Sequence, residues 1–317
     1  MTEAAAGPLA ITGASGFVGA AIARHLAAAG WRLRLLVRRG SENRLPTLVG
    51  AEIITGSLAD RGALERLLDG AQALVHGAGA VRGASYADFE RVNVAGTQAL
   101  LDAAGPTLRM LHISSLAARH PRLSHYAASK WAGERLVMTT LAPARRVVLR
   151  PPAIYGPGDR ELRPLLDAMW RGWALLPGPP QARFSLLHVD DLARAVGRLL
   201  AGEAGWGAIH EPDDGQPGGH GWQDLLDAIG RLRGARVRAV HVPGWLLSAL
   251  GAGNELLSRL THRPPMLSRG KARELRWPDW VAAGNVSLAA CGWRPAIDLD
   301  RGLRDTLTAA ADRRQSA

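Results

Sequence analysis

"TGASGFVG" (residues 12–19) decides how the rest of this chain is read. It follows the apolar run "LAITG" (9–13) and opens a helical pattern near 17–29, so Gly13, Gly16 and Gly19 lie between a first strand and a first helix. Glycine at such a junction permits a tight turn, close approach of a pyrophosphate, and close packing of helix on strand. The unpaired N–H groups of the helix start then face the phosphates. A glycine pattern alone is weak evidence in a chain with 37 glycines; its position at the head of a series of βα units gives it weight. Gly13, Ser15, Gly16, Phe17 and Val18 are the loop residues expected at a dinucleotide.

Working outward, apolar runs recur at 32–37, 51–55, 73–78, 108–114 and 145–150, with helical patterns near 60–69, 86–104 and 125–141. Strands separated by helices imply right-handed crossovers and a buried parallel sheet. The expected class is therefore α/β, a Rossmann-type doubly wound parallel sheet with a smaller C-terminal substrate-binding region. After Pro151-Pro152 the texture changes, and eight of the ten tryptophans lie beyond residue 150. "RFSLLHV" (183–189) and "GAIHEP" (207–212) still look like pieces of the sheet layer. The expected division is a dinucleotide-binding domain over 1–155, rejoined by 183–212, and a substrate region over 156–182 and 213–317.

The composition narrows the classes. A single cysteine, Cys291, excludes an internal disulfide and suggests a reducing compartment. The N-terminus lacks a basic leader and no apolar run reaches the length of a membrane span, so a cytoplasmic protein with no membrane partner is expected. The net charge of +11 is carried by arginines spread along the chain, with no nucleic-acid motif, so no nucleic-acid partner is expected. His76, His112, His188 and His210 lack metal-ligand spacing, and no metal is expected.

The second strand ends "LLVRRG", with no acid from Ala20 to Ser41. An acid there would accept from the adenosine ribose and favour NAD; Arg38 and Arg39 instead suit a 2′-phosphate. NADP is the expected cofactor, with NAD as the alternative.

"SHYAASKWAGER" (124–135) holds one of three tyrosines and one of two lysines, four residues apart. On a helix Tyr126 and Lys130 share a face. A phenol is a poor base at neutral pH, and a nearby ammonium favours its ionised form. A third group must hold the substrate oxygen: Ser115, at the end of "HISSLA", is the choice, with Ser114 in reserve.

With these residues in place, the chain resembles an extended short-chain dehydrogenase/reductase of the epimerase/dehydratase-like branch. "TGASGFVG", "LVHGAGAV", "VNVAGTQALLDAA", "HISSLA", "YAASKWAGE", "LRPPAIYGPGD" and "FSLLHVDDLARA" occur in the expected order. The resemblance implies Tyr126 as acid–base, Lys130 as ribose ligand and tuner of the tyrosine, Ser115 as partner of the reacting oxygen, and Asn93 as the supporting helix asparagine. It also implies that Gly77, Ala78, Gly79, Pro151, Ala153 and Ile154 line the cofactor. Where the family often has Gly-Asp-Leu, this chain has Gly56-Ser57-Leu58, so Leu58 and a weaker Ser57 bond carry over.

The resemblance implies an Asp-Glu pair just after the fifth-strand hydroxyl in sugar-nucleotide dehydratases; here "LAARH" follows Ser115 with no carboxylate, so dehydration is not expected. The leading expectation is hydride transfer between nicotinamide and a carbonyl or hydroxyl substrate. The alternatives are a nucleotide-sugar epimerase with retained cofactor, in which Arg160 and Arg163 clamp a diphosphate, and a non-catalytic cofactor-binding sensor or assembly factor. Trp170, Trp173, Trp206 and Trp245 are candidates to line an apolar or ring-shaped substrate pocket. A homodimer is the expectation from the resemblance.

Overall fold

The structure is a computed structural model describing residues 7–261 and 267–315; the outer ends of the expected domains, at 1–6 and 316–317, lie outside the described residues. Its first part runs β1 (Leu9–Thr12), α1 (Phe17–Ala28), β2 (Leu33–Val37), β3 (Glu52–Thr55), α2 (Arg61–Leu68) and β4 (Ala73–His76). Next come α3 (Tyr86–Glu90), α4 (Gly96–Ala103), β5 (Arg109–Ile113), α5 (His125–Thr140) and β6 (Arg146–Leu149). The middle holds β7 (Ala153–Tyr155), α6 (Arg163–Trp170), β8 (Trp173–Pro177), β9 (Arg183–Phe184), β10 (Leu186–His188), α7 (Val189–Leu200) and β11 (Ile209–His210). The last part holds β12 (His220–Gly221), α8 (Trp222–Arg233), β13 (Arg238–Val242) and α9 (Gly244–Thr261). It closes with α10 (Arg269–Arg276), β14 (Asp279–Trp280), α11 (Val286–Ala290) and α12 (Leu299–Gln315).

Seven strands form one parallel sheet in the order β11-β6-β5-β4-β1-β2-β3. Side chains alternate faces along each strand: Leu9 and Ile11 pack with α1 and α7, while Ala10 packs with α2, α4 and α5. Helices on both faces bury the central strands, which is why β1 and β4 read as unbroken apolar runs. The strand order reverses between β1 and β4, and the crevice beyond their carboxyl ends is where such sheets take ligands.

One expectation is corrected. β11 joins the main sheet through Ile209↔Val148, but the 183–189 segment does not. β10 pairs with β7 in a separate two-stranded sheet, and β9 lies between β12 and β14. Pro151 and Pro152 offer no N–H, so β6 stops at Leu149 and the extended chain beyond them recruits its own partner. The helix expected over 86–104 is also interrupted: Arg91–Ala95 forms a π-helical turn.

Candidate active site

The glycine loop and the end of β4 are in direct contact. Gly13 has φ +81°, and a Cβ there would sit 2.6 Å from the Ala78 nitrogen. A Cβ on Gly19 would sit 2.1 Å from the Gly13 carbonyl oxygen, so α1 packs on the loop only because both positions are bare. Gly16 caps α1 without a side chain, and the first turn holds no acid, which leaves its N–H groups for an anion. Arg38 and Arg39 stand exposed beyond β2 with no side-chain partner among the described residues. These features fit a dinucleotide. Ser57 has its oxygen engaged by the Ala59 N–H at 3.2 Å, and Leu58 packs against Gly96.

A one-way chain of hydrogen bonds runs behind this cradle. The Ala78 N–H donates to Thr12 Oγ1 (3.3 Å), and Thr12 contacts His76 Nδ1 (2.8 Å). His76 Nε2 contacts Thr97 Oγ1 (2.9 Å), whose own proton goes to the Asn93 carbonyl (2.8 Å). Because Thr97 donates onward, His76 must carry its proton on Nε2 and accept at Nδ1. Burial holds this imidazole neutral, with its pKa lowered to about 3, and the nearby Lys130 charge acts in the same direction.

Asn93 lies within the π-helical turn and ties three elements together. Its Oδ1 accepts from the Ala80 N–H at 2.7 Å, and its Nδ2 donates to the Ala80 carbonyl and to Ser129 Oγ. Ser129 donates in turn to the Tyr126 carbonyl at 2.8 Å. A Cβ on Gly133 would sit 2.3 Å from the Asn93 carbonyl oxygen, so α5 reaches this turn only through a glycine.

Tyr126 and Lys130 project from α5, as their spacing implies. Lys130 is buried and donates Nζ to the Ile113 carbonyl at 2.7 Å. The Ser115 hydroxyl acts on the phenol, pulling its pKa down. Its oxygen accepts from the Ala117 N–H at 3.2 Å, leaving the hydroxyl proton to donate. Ser114, one residue earlier, points the other way and donates to Glu134, which Arg150 grips with two bonds of 2.9 and 2.5 Å. Pro151 is buried with its carbonyl accepting from Leu116, Ile154 is half-buried and Ala153 exposed.

Comparison with known proteins now bears on this geometry. The profile of the NAD dependent epimerase/dehydratase family matches residues 9–207. The chain belongs to that family. It is 38% identical to a ceramide reductase of Caulobacter vibrioides, over 89% of this chain and 88% of the relative. It is 28% identical to a 2-alkyl-3-oxoalkanoate reductase of Stenotrophomonas maltophilia, over 93% and 96% of the two chains. Among solved structures, MoeE5 in complex with UDP-glucose and NAD superposes with a TM-score of 0.75 at 22% identity, covering 98% and 100% of the chains, a likeness of fold.

In this family member the matched region stops before a segment that reaches the tyrosine. α10 docks on the start of α5: Arg273 donates to the Leu123 carbonyl at 2.8 Å, and Gly270 packs against Ser124. Ser124, which caps α5 by accepting from the Ala127 N–H, donates its proton to the buried carboxylate of Glu274. Lys271 Nζ holds the other oxygen of that carboxylate at 3.1 Å. His120 rests against Trp277 and Trp280, with ring centroids 4.6 and 5.6 Å away, and Trp280 Nε1 donates to the Glu274 carbonyl.

Burial pushes the Tyr126 phenol above its ordinary range; the Ser115 hydroxyl pulls it down, Glu274 pushes it up and Lys271 pulls it down. Among the cations it is Lys271, which the sequence reading left without a role, that pulls the phenol down, against the larger opposing push of its partner Glu274. The rarity of Lys271, as one of two lysines in the chain, was the available signal. Lys130 is itself held down to about 8 by burial, against the pull of Glu134.

Other candidates are engaged elsewhere. Arg163 binds Asp167 and the Thr306 carbonyl. Asp191 opens α7 and accepts from the Ile297 N–H at 3.0 Å. Trp206 packs against the core and under the Arg109 guanidinium, while Trp170, Trp173 and Trp245 are exposed.

Proposed function

We propose that this protein is an NADP-dependent ketoreductase acting on a carbonyl carried by an apolar, chain-bearing substrate. The observation that carries the reading is the neutral Tyr126 phenol, raised by burial, beside a Ser115 hydroxyl whose proton is free to donate. Bound in the glycine cradle, the reduced dinucleotide would supply a hydride to the carbonyl carbon. Ser115 holds the carbonyl oxygen, and Tyr126 gives that oxygen its proton. Lys130 and Lys271 are the ammonium groups proposed to ease the negative charge left on the phenol.

Among the described residues, the carboxylates that act on the phenol are both engaged: Glu274 by Ser124 and Lys271, and Glu161 by Arg82. The two relatives named above are a ceramide reductase and a 2-alkyl-3-oxoalkanoate reductase by name, which supports the substrate class. Arg38 and Arg39, unpaired at the end of β2, support NADP over NAD. The proposal retains a substrate region over 156–182 and 213–317, a cytoplasmic location and a homodimer.

The deciding experiment is turnover of a long-chain 3-oxo compound with NADPH by wild type and Tyr126→Phe. The substitution is expected to lower kcat by roughly 10²–10⁴ with NADPH affinity kept. Full activity in the variant would end the assignment. Arg38→Ala should weaken NADPH and leave NADH nearly unchanged, and a wild-type preference for NADH would reverse the cofactor choice. The epimerase reading draws on the UDP-sugar complex of MoeE5, but Arg163 is already committed to Asp167. A cofactor that co-purifies and is never net consumed would favour it.

A further inference from the structure

β8 and β13 form a two-stranded parallel ribbon whose two faces differ. The inner face, Ala174 and Leu176, packs with α6 and α8. The outer face carries Trp173 (50% exposed) and Leu175 (54%) beside Arg238 and Val240 (63%), their partners in register. Trp170 (44%) precedes β8 and Trp245 (71%) opens α9.

The two chain segments that build this face carry charge of one sign. No Asp or Glu occurs between Asp167 and Asp190, or between Asp227 and Glu255. Arg171, Arg236 and Arg238 are exposed there without a side-chain partner among the described residues. The ribbon also abuts the candidate active site: a Cβ on Gly178, just past β8, would sit 2.3 Å from the Leu275 carbonyl oxygen of α10.

We propose that this face is a membrane-contact surface that seats the protein on an anionic bilayer, with Trp173, Leu175 and Val240 entering the headgroup boundary. Tryptophan favours that boundary because one edge of its ring is polar and the rest apolar. Arginines above the plane are attracted to acidic headgroups, and the net charge of +11 adds long-range attraction. A second copy of this chain fits less well, since two-fold pairing would set the same arginines against one another. The surface lies on the membrane without spanning it; no helix among the described residues is long and apolar enough to cross. This departs from the sequence-based expectation of no membrane partner. It stands apart from the substrate assignment, because it is read from binding without substrate.

The test is sedimentation of the full chain with phosphatidylcholine vesicles, alone or with roughly 30% phosphatidylglycerol, at low and high salt. Binding to the anionic vesicles, weakened several-fold by salt, is expected. Trp173→Ser with Leu175→Ser, and separately Arg236→Glu with Arg238→Glu, should each reduce it about tenfold, with melting temperature and NADPH affinity kept. Absence of wild-type binding, or equal binding by both variants, overturns the proposal. So does a change from dimer to monomer in the variants without loss of vesicle binding, which would assign the face to a second copy.

Discussion

Ser124 donates its hydroxyl to Glu274, 150 residues further along the chain, while its oxygen caps the helix that carries Tyr126. A single hydroxyl therefore couples the start of α5 to α10, and through Glu274 it orients the Lys271 ammonium at the site.

Lys271→Met removes the cation that counters the burial of the Tyr126 phenol, and leaves the cofactor cradle intact. The expected result is a fall of about tenfold or more in kcat, with the phenol's pKa raised further and NADPH affinity unchanged. Glu274→Gln keeps the Ser124 contact and removes a charge that pushes the phenol up, so kcat should hold or rise. Steady-state kinetics with a pH profile reads both, and an unchanged kcat in Lys271→Met would remove Lys271 from the site.

The Lys130 ammonium is lowered to about 8 by burial, so in the free enzyme it is charged below that pH and neutral above it. If its charge serves cofactor binding and eases the phenolate, kcat/KM for reduction falls as pH rises through about 8. Folding stability moves the other way. Between about 8 and the ordinary 10.5, the unfolded chain holds a proton that the folded one has released, so stability rises with pH across this window. A kcat/KM that stays level to pH 9.5 (roughly one unit short of the ordinary lysine value) would contradict the assignment.

His112 is buried, with both ring nitrogens lacking a hydrogen-bond partner among the described residues, and its ring centroid lies 5.1 Å from that of His76. Burial drives both imidazoles well below their ordinary 6.5. Their contribution is fully present above pH 6.5 and is lost as pH falls through the depressed values, because the unfolded chain binds the extra protons. His112→Leu removes an unsatisfied ring at similar volume. Its melting temperature should match or exceed wild type, with a shallower loss in acid. A destabilisation of more than about 2 kcal/mol would mean that the ring is hydrogen-bonded.

The local pattern made the sheet, the glycine loop and the Tyr126–Lys130 pair legible, because each depends on neighbours within a few residues. A continuous apolar run buries β1 on both faces, and a spacing of four puts phenol and ammonium on one side of α5. Ser115 was separable from Ser114 by its place past the strand end, and the structure turns the two hydroxyls to opposite sides. The π-helical turn at Asn93 left no mark in the pattern, since the helical periodicity of 86–104 reads continuously through it; only Gly133, forced bare by the Asn93 carbonyl, hinted at the contact.

By itself the sequence determined an α/β protein with a glycine loop between its first strand and first helix and a tyrosine–lysine pair on a later helix, because those features follow from short-range sterics and periodicity. Tertiary structure decided the rest. Glu274 meets Ser124 across 150 residues, and Arg238 meets Trp173 through strand pairing, so neither contact is encoded in any local period. Which charge acts on the tyrosine, and which apolar face stays uncovered, follow from chain segments that only folding brings together.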